Sequence, residues 1–154
     1  MHAAIYRTAG GLLALLIAAA ATAQQAQQNR LVTPREIQAG LSADGSRWLT
    51  FGGNYSNHRH SPLTQITPEN VGGLVPQWTF QTYVLERFET TPLYHDNVLY
   101  VTGPLNMAWA IDARSGRTFW EYRRELPKDL TACCGLVNRG FAMLGDKLYL
   151  TTLD

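Results

Sequence analysis

Cys133 and Cys134 are adjacent in the stretch CCGLVNR, and they are the only two cysteines among the 154 residues. Arg139 follows five residues after the second cysteine. Two neighbouring thiols suggest redox chemistry, and an arginine can hold a carboxylate through two parallel hydrogen bonds. Composition alone leaves two alternatives for the cysteines, a disulfide or a pair of buried thiols. The elements around this stretch have to supply its context.

The first 23 residues differ from the rest of the chain. One positive charge, Arg7, precedes the short apolar run GLLALLIAAA, and the small residues ATA follow at 21–23. This order is typical of a secretory signal peptide, because the apolar run is too short to span a bilayer comfortably. A membrane anchor is the alternative. We therefore expect a signal peptide over 1–23, a mature chain over 24–154 and a periplasmic location, where disulfides persist.

The composition is that of a globular chain, with 45% hydrophobic and 16% charged residues. The net charge of +1 gives no reason to expect nucleic acid as a partner. Two Thr-Pro pairs predict short helices, at 33–41 and 67–74, with threonine as the N-cap and proline at the first helical position. Between them, residues 48–66 carry turn signals and no sustained period, so we expect an ordered loop with anchoring aromatic residues.

The remaining chain has the pattern of strands and tight turns. Residues 74–82 (LVPQWTFQT) are rich in β-branched and aromatic residues and predict a strand. Three hairpins follow, with predicted turns at Asp96–Asn97, at 114–116 and at Gly145–Asp146. The last hairpin resembles the first, because Leu-Tyr recurs after 49 residues. In addition, Trp78 and Trp120 lie 42 residues apart in similar predicted strands.

Self-similarity at this period, with four short strands in each unit, indicates a β-propeller. A propeller closes with at least four blades, whereas 154 residues hold little more than two. We therefore expect the chain to be the N-terminal piece of a longer protein. A complete small β-sandwich is the alternative.

The repeat itself resembles a known motif. The stretch AIDARSGRTFW, residues 110–120, resembles the tryptophan-docking repeat A-x-D-x-x-T-G-x-x-x-W of dehydrogenases that depend on pyrroloquinoline quinone (PQQ), with Ser115 in the threonine position. From Trp48 to Asp154 the chain resembles the quinoprotein alcohol dehydrogenases, and CCGLVNRG is the most specific match. The resemblance implies an all-β fold, the N-terminal part of an eight-bladed β-propeller that is incomplete in this chain.

The same resemblance implies roles for four residues. Cys133 and Cys134 would form a vicinal disulfide against one face of the PQQ ring, Arg139 would bind a cofactor carboxylate, and Glu89 would also contact the cofactor. A disulfide between neighbouring residues closes almost no chain, so loop entropy gives it little stabilising value and a local role is more plausible. The alternatives are a surface ion pair for Arg139 and a solvated carboxylate for Glu89.

For the whole protein the resemblance implies oxidation of primary alcohols of the methanol or ethanol type, with hydride transfer to PQQ. It implies a calcium or lanthanide ion, whose ligands lie beyond this chain together with the catalytic base, and a cytochrome c as electron acceptor. A homo-oligomer is one assembly consistent with it. We expect residues 1–154 alone to be inactive and to fold poorly, because exposed blade edges invite aggregation.

Two other functions were weighed. A non-catalytic propeller that acts as a scaffold for outer-membrane protein assembly carries similar repeats, but the cysteine pair and Arg139 argue against it. A glucose-type membrane quinoprotein would be expected to begin with several membrane spans. His58 and His60 suggest a metal site, yet no third ligand is near in sequence, so a pair of loop histidines is favoured.

Overall fold

A computed structural model describes residues 31–154, so the predicted signal peptide lies outside the described residues. Strands make up most of the regular secondary structure in the described part of the chain, in agreement with the all-β prediction. Within it, no helix has the length and apolar character needed to cross a membrane. The elements are α1 (Pro34–Ala39), β1 (Arg47–Trp48), one 3-10 turn (Val71–Gly73), β2 (Leu93–His95), β3 (Val98–Thr102), β4 (Ala108–Asp112), β5 (Thr118–Tyr122), β6 (Ala142–Leu144) and β7 (Lys147–Tyr149).

The first five strands form one antiparallel sheet in the order β1-β2-β3-β4-β5, so each strand pairs with its neighbour along the chain. β6 and β7 form a separate two-stranded sheet. The turn between β2 and β3 falls at Asp96 and Asn97, as predicted, with φ values of 49° and 62°. Aspartate and asparagine tolerate this left-handed conformation, and the tight hairpin turn requires it at both positions.

Strand β4 lies at the centre of the packing. On one face of the sheet, Met107, Trp109 and Ile111 are at most 3% exposed and form one core cluster. Trp78, Phe80 and Val84, which come from the segment before the sheet, pack against it. Alternate residues of a strand point to opposite faces, so Ala108 and Ala110 face the other side.

That other side holds a second core cluster. Leu93 of β2 and Met143 of β6 are buried there together with Val32 and Leu49. Val32 also forms an isolated bridge with Gly145, and their backbone groups exchange hydrogen bonds of 3.0 and 2.7 Å. The second cluster therefore joins the five-stranded sheet to the hairpin β6–β7.

The turn between β4 and β5 has the interactions expected of the repeat motif. The Asp112 carboxylate accepts hydrogen bonds from the amides of Arg114 and Ser115, at 2.8 and 3.3 Å. These hydrogen bonds lower the pKa of Asp112, and the bond from the Arg114 amide has the largest effect. Trp78 donates from its ring nitrogen to the carbonyl of Ala113 at 3.1 Å and covers Gly116. The tryptophan that covers this turn thus comes from outside the hairpin.

Three sequence predictions require correction. Residues 67–74 form a turn and the 3-10 turn Val71–Gly73 instead of a helix, and Asn70 takes the cap position in place of Thr67. Residues 74–82 are not part of any strand. In the predicted loop at 48–66, Phe51 and Tyr55 are 44% and 74% exposed, so these two aromatic residues do not anchor it in the described structure. The helix at 33–41 is confirmed as α1, where Thr33 and Glu36 form a capping box.

Candidate functional site

Two segments that lead into strands meet at the candidate site. Residues 87–91 precede β2, and residues 133–140 precede β6. The amide of Thr91 donates to the carbonyl of Arg139 at 3.2 Å. Gly140 follows with φ of 137°, and a Cβ atom there would lie 3.1 Å from the Thr91 carbonyl oxygen. Glycine at this position therefore permits the close approach of the two segments.

Glu89 and Arg139, which are 50 residues apart in sequence, form an ion pair. The guanidinium donates to Oε2 of Glu89 from Nε at 3.2 Å and from Nη2 at 3.1 Å. These contacts use two of the five N–H donors of the guanidinium. The Arg139 side chain is 71% exposed, so donors remain for a second anion. The structure thus brings together two of the residues that the sequence singled out.

The segment before β2 has alternating side chains. Phe88 stacks on Trp109 of the core, with ring centroids 6.3 Å apart, and the Thr90 hydroxyl lies 2.8 Å from that of buried Thr102. Arg87 and Glu89 alternate with these two anchors, and Arg87 Nη1 lies 3.7 Å from Oε1 of Glu89. Sequence reasoning missed Arg87. Its spacing of two residues from Glu89 was the available signal, since such residues share one side of an extended segment.

Cys133 and Cys134 are both exposed, and their Sγ atoms lie 3.0 Å apart as free thiols. The contact with Cys133 raises the pKa of the Cys134 thiol, and desolvation raises it further. Arg139 and Arg87 act in the opposite direction on the same pKa, which places both arginines within electrostatic reach of the cysteines. The disulfide stays a prediction.

Asn138 has a structural role next to Arg139. Its side chain is buried, donates to the carbonyl of Thr151 at 2.9 Å and accepts from the amide of Gly140 at 3.0 Å. The side chain of Asn138 thus binds backbone. It fixes the backbone on both sides of Arg139.

Comparison with known proteins identifies the family. Residues 48–149 match the PQQ family model described as "Glucose/ethanol/alcohol dehydrogenase, beta-propeller domain". The chain belongs to this family. The match covers well over half of the chain, and the predicted propeller architecture is confirmed as that of the PQQ dehydrogenases.

Curated relatives and solved structures agree with this assignment. A 1-butanol dehydrogenase (quinone) from Thauera butanivorans is 45% identical over 69% of this chain, and 17% of that relative is covered. The dehydrogenase subunit of an alcohol dehydrogenase (quinone) from Gluconacetobacter polyoxogenes is 37% identical over 96% of this chain and 20% of its own length. The structure of a quinohemoprotein alcohol dehydrogenase from Comamonas testosteroni has a TM-score of 0.74 at 32% identity, and the match covers 83% of this chain and 19% of that one. The chain therefore spans about a fifth of the length of the relatives it matches.

The residues of this PQQ-dehydrogenase segment fit an anionic, planar group. Arg139 presents an exposed guanidinium with donors that Glu89 does not use, and the cysteine pair beside it is open to solvent. A tricarboxylate such as PQQ is the kind of ligand that a guanidinium binds through paired hydrogen bonds. Among residues 31–154, no three His, Cys, Asp or Glu side chains cluster in a way that could hold a metal ion. His58, by contrast, contacts the side-chain amide of Asn54 at 3.1 Å within its loop.

Proposed function

We propose that this chain forms one wall of the cofactor site in an exported PQQ-dependent dehydrogenase that oxidises primary alcohols. The observation that carries the proposal is the meeting of Glu89 and Arg139 beside Cys133 and Cys134. Two stretches of sequence that resemble cofactor-binding motifs, one with Glu89 and one with the cysteines and Arg139, contact each other through this ion pair, which supports the proposal. PQQ, when bound, supplies the hydride acceptor, and the protein supplies orientation and electrostatics.

Each residue has a distinct part in this proposal. Arg139 binds a carboxylate of the cofactor, and Glu89 orients the Arg139 side chain and faces the same ligand. Cys133 and Cys134 present a surface to the ring, and we propose that they are joined as a disulfide in the exported protein. Their sulfur atoms already lie 3.0 Å apart, which supports the pairing of these two thiols. Asn138 holds the backbone on which Arg139 depends.

The names of relatives support the wider assignment. One relative from Thauera butanivorans, 40% identical over 73% of this chain, is a 1-butanol dehydrogenase (cytochrome c), which favours a cytochrome c as electron acceptor here. A europium-containing methanol dehydrogenase, with a TM-score of 0.64 at 33% identity, favours a lanthanide as the metal ion, and calcium is the alternative that the family resemblance implies. The metal ligands and the catalytic base would come from parts of the complete protein beyond this chain.

The test uses the complete protein, loaded with PQQ and either calcium or a lanthanide ion. We expect reduction of cytochrome c or a dye that depends on a primary alcohol, and no turnover by residues 1–154 alone. Arg139→Gln should weaken PQQ binding about tenfold or more, because charge-assisted hydrogen bonds are lost. Arg114→Gln, which changes an exposed arginine in the β4–β5 turn, is the matched control.

Three results would contradict the proposal. A complete protein that binds no PQQ would favour the scaffold alternative. Two reactive thiols in the periplasmic protein, titrated without reductant, would exclude the disulfide. A mature N-terminus elsewhere than near Gln24, found by N-terminal sequencing of that protein, would exclude cleavage at the proposed site.

A further inference from the structure

We propose that Arg87 is a second cofactor-binding arginine, which acts with Arg139 to recognise a carboxylate-bearing planar cofactor. The inference rests on the proposed function, since it concerns the same site. Neither the sequence resemblance nor the family assignment gives Arg87 a role. Glu89 lies between two guanidinium groups, those of Arg87 and Arg139.

The two arginines contact different oxygens of one carboxylate. Arg139 binds Oε2 of Glu89 at 3.1 Å, and Arg87 Nη1 lies 3.7 Å from Oε1. The three side chains together carry a net charge of +1. One guanidinium already neutralises Glu89, so the second leaves an uncompensated positive charge beside the cysteine pair. The contact at 3.7 Å is longer than a hydrogen bond, so the Arg87 donors remain available to a ligand.

Arg87 also has a fixed backbone beneath an exposed side chain. The Arg87 side chain is 71% exposed, equal to that of Arg139, whereas Phe88 and Thr90 anchor the segment on Trp109 and Thr102. Anchored neighbours reduce the backbone freedom that would be lost when a ligand binds.

A purely structural role explains these features less well. An exposed ion pair stabilises a fold very little, and Glu89 is already paired with Arg139. A second arginine in this position adds most where an anion with several carboxylates approaches. Its contribution is a charge effect, so salt should screen it.

The experiment is equilibrium binding of PQQ to the cofactor-free complete protein, at low and at high salt. We expect Arg87→Gln to weaken binding about three- to tenfold at low salt and to reduce the salt dependence of binding. Arg87→Lys should recover part of the affinity, because it restores the charge without the planar fork. Arg114→Gln is the control, and the thermal midpoint of the cofactor-free protein should be the same in all of them.

The outcomes separate this inference from the function on which it rests. If the wild-type protein binds no PQQ, the proposed function fails. If Arg139→Gln weakens binding while Arg87→Gln matches the wild type in affinity and salt dependence, only the role of Arg87 is overturned. The same conclusion follows if Arg87→Gln weakens binding but leaves the salt dependence unchanged, because Arg87 would then act only by holding Glu89.

Discussion

The turn between β4 and β5 and the turn between β6 and β7 each contain a glycine with positive φ but differ in their surroundings. Gly116 in the first turn is covered by Trp78, so closely that a Cβ atom would lie 2.7 Å from the indole ring. Gly145 in the second turn has nothing within 4 Å of the position of a Cβ atom. Strand β4 is buried at four of its five positions, whereas β6 is buried only at Met143. The β4–β5 turn is thus packed under the Trp78 ring, whereas the β6–β7 turn is held by the backbone bridge between Val32 and Gly145.

The uncovered surfaces lie next to each other. All five residues of β5 are exposed, and a groove of about 390 Å³ separates β5 from β6 and β7. Aromatic and aliphatic side chains line it, among them Trp120, Tyr122, Phe141 and Leu148. Since the chain spans about a fifth of its relatives, we expect further blades of the complete protein to cover the apolar edges. The two hairpins therefore differ mainly in the segments that pack around them.

The largest effect on the free energy of unfolding is expected when a buried side chain of each core cluster is truncated to alanine. Trp109→Ala in β4 should lower the free energy of unfolding by about 3–5 kcal/mol, because it removes the centre of a packed cluster. Met143→Ala in β6 should cost about 2 kcal/mol, at the low end for a buried methionine. Urea unfolding of the propeller domain in the complete protein measures both. Equal losses would show that the β6–β7 hairpin is packed as well as the large sheet.

The two turn glycines give a smaller and more direct comparison. Gly116 and Gly145 have φ values of 72° and 61°, so alanine is strained at either position by about 1 kcal/mol. Gly116→Ala carries the additional clash with Trp78, so its total cost should be about 2 kcal/mol or more. Gly145→Ala should cost only the strain. The free energies of unfolding of the two variants would be indistinguishable if Trp78 moved aside at no cost.

The smallest effect is expected from the turn aspartates. Hydrogen bonds from backbone amides lower the pKa of Asp112, whereas the ammonium group of Lys147, 2.7 Å away, lowers that of Asp146. Because folding lowers both pKa values, each contribution is present above the unfolded pKa, near 3.9, and is lost as pH falls through the lower folded value. Urea midpoints between pH 7 and pH 2 should therefore converge between the wild type and Asp112→Ala.

Salt distinguishes the two aspartates. The Asp146–Lys147 pair is exposed, so added salt should remove most of the effect of Asp146→Ala on the urea midpoint. The hydrogen bonds from backbone amides to Asp112 lie within a turn, so the effect of Asp112→Ala on the urea midpoint should be less sensitive to salt. A salt dependence of equal size in both variants would mean that the two turns are stabilised by the same kind of interaction.

The sequence predicted the hairpins well, because their turns depend on local chemistry. Asp96–Asn97 has the residue types that a left-handed turn needs, and Thr33 with Glu36 specifies the start of α1. The strand predicted at 74–82 was wrong for a tertiary reason. Trp78 and Phe80 alternate as in a strand because the segment lies along one face of the sheet. A period of two shows that one side of a segment is apolar, but it does not show that the segment pairs with a neighbouring strand.

The helix predicted at 67–74 was wrong for a local reason. Gly72 and Gly73 lower helix propensity, and the side chain of Asn70 accepts from the Thr67 amide at 2.8 Å. This bond is the same kind of contact that the Thr33 amide makes with Glu36, so it closes a first turn, and the two glycines that follow do not extend that turn into a helix. The start signal at Thr67 and Pro68 was therefore genuine as a turn signal but too weak to predict a helix.

The candidate site was predictable as a set of residues but not as an arrangement. The resemblance of motifs selected Glu89, Arg139 and the cysteines, and their ion pair and proximity became visible only in the fold. The ion pair between Glu89 and Arg139 depends on the meeting of two segments 50 residues apart, for which local pattern gives no signal, whereas the spacing of Arg87 from Glu89 was readable in the sequence. The pairing of those segments is a tertiary property.

The contact between Phe88 and Trp109 has a consequence for how such sequences can change over time. Gly103 lies against both rings, and a Cβ atom there would approach them at 2.6 and 3.0 Å. A change of size at any of these three positions would displace the backbone that carries Arg87 and Glu89. We therefore expect the three positions to vary together among related sequences, as a joint constraint on residues that never touch the cofactor.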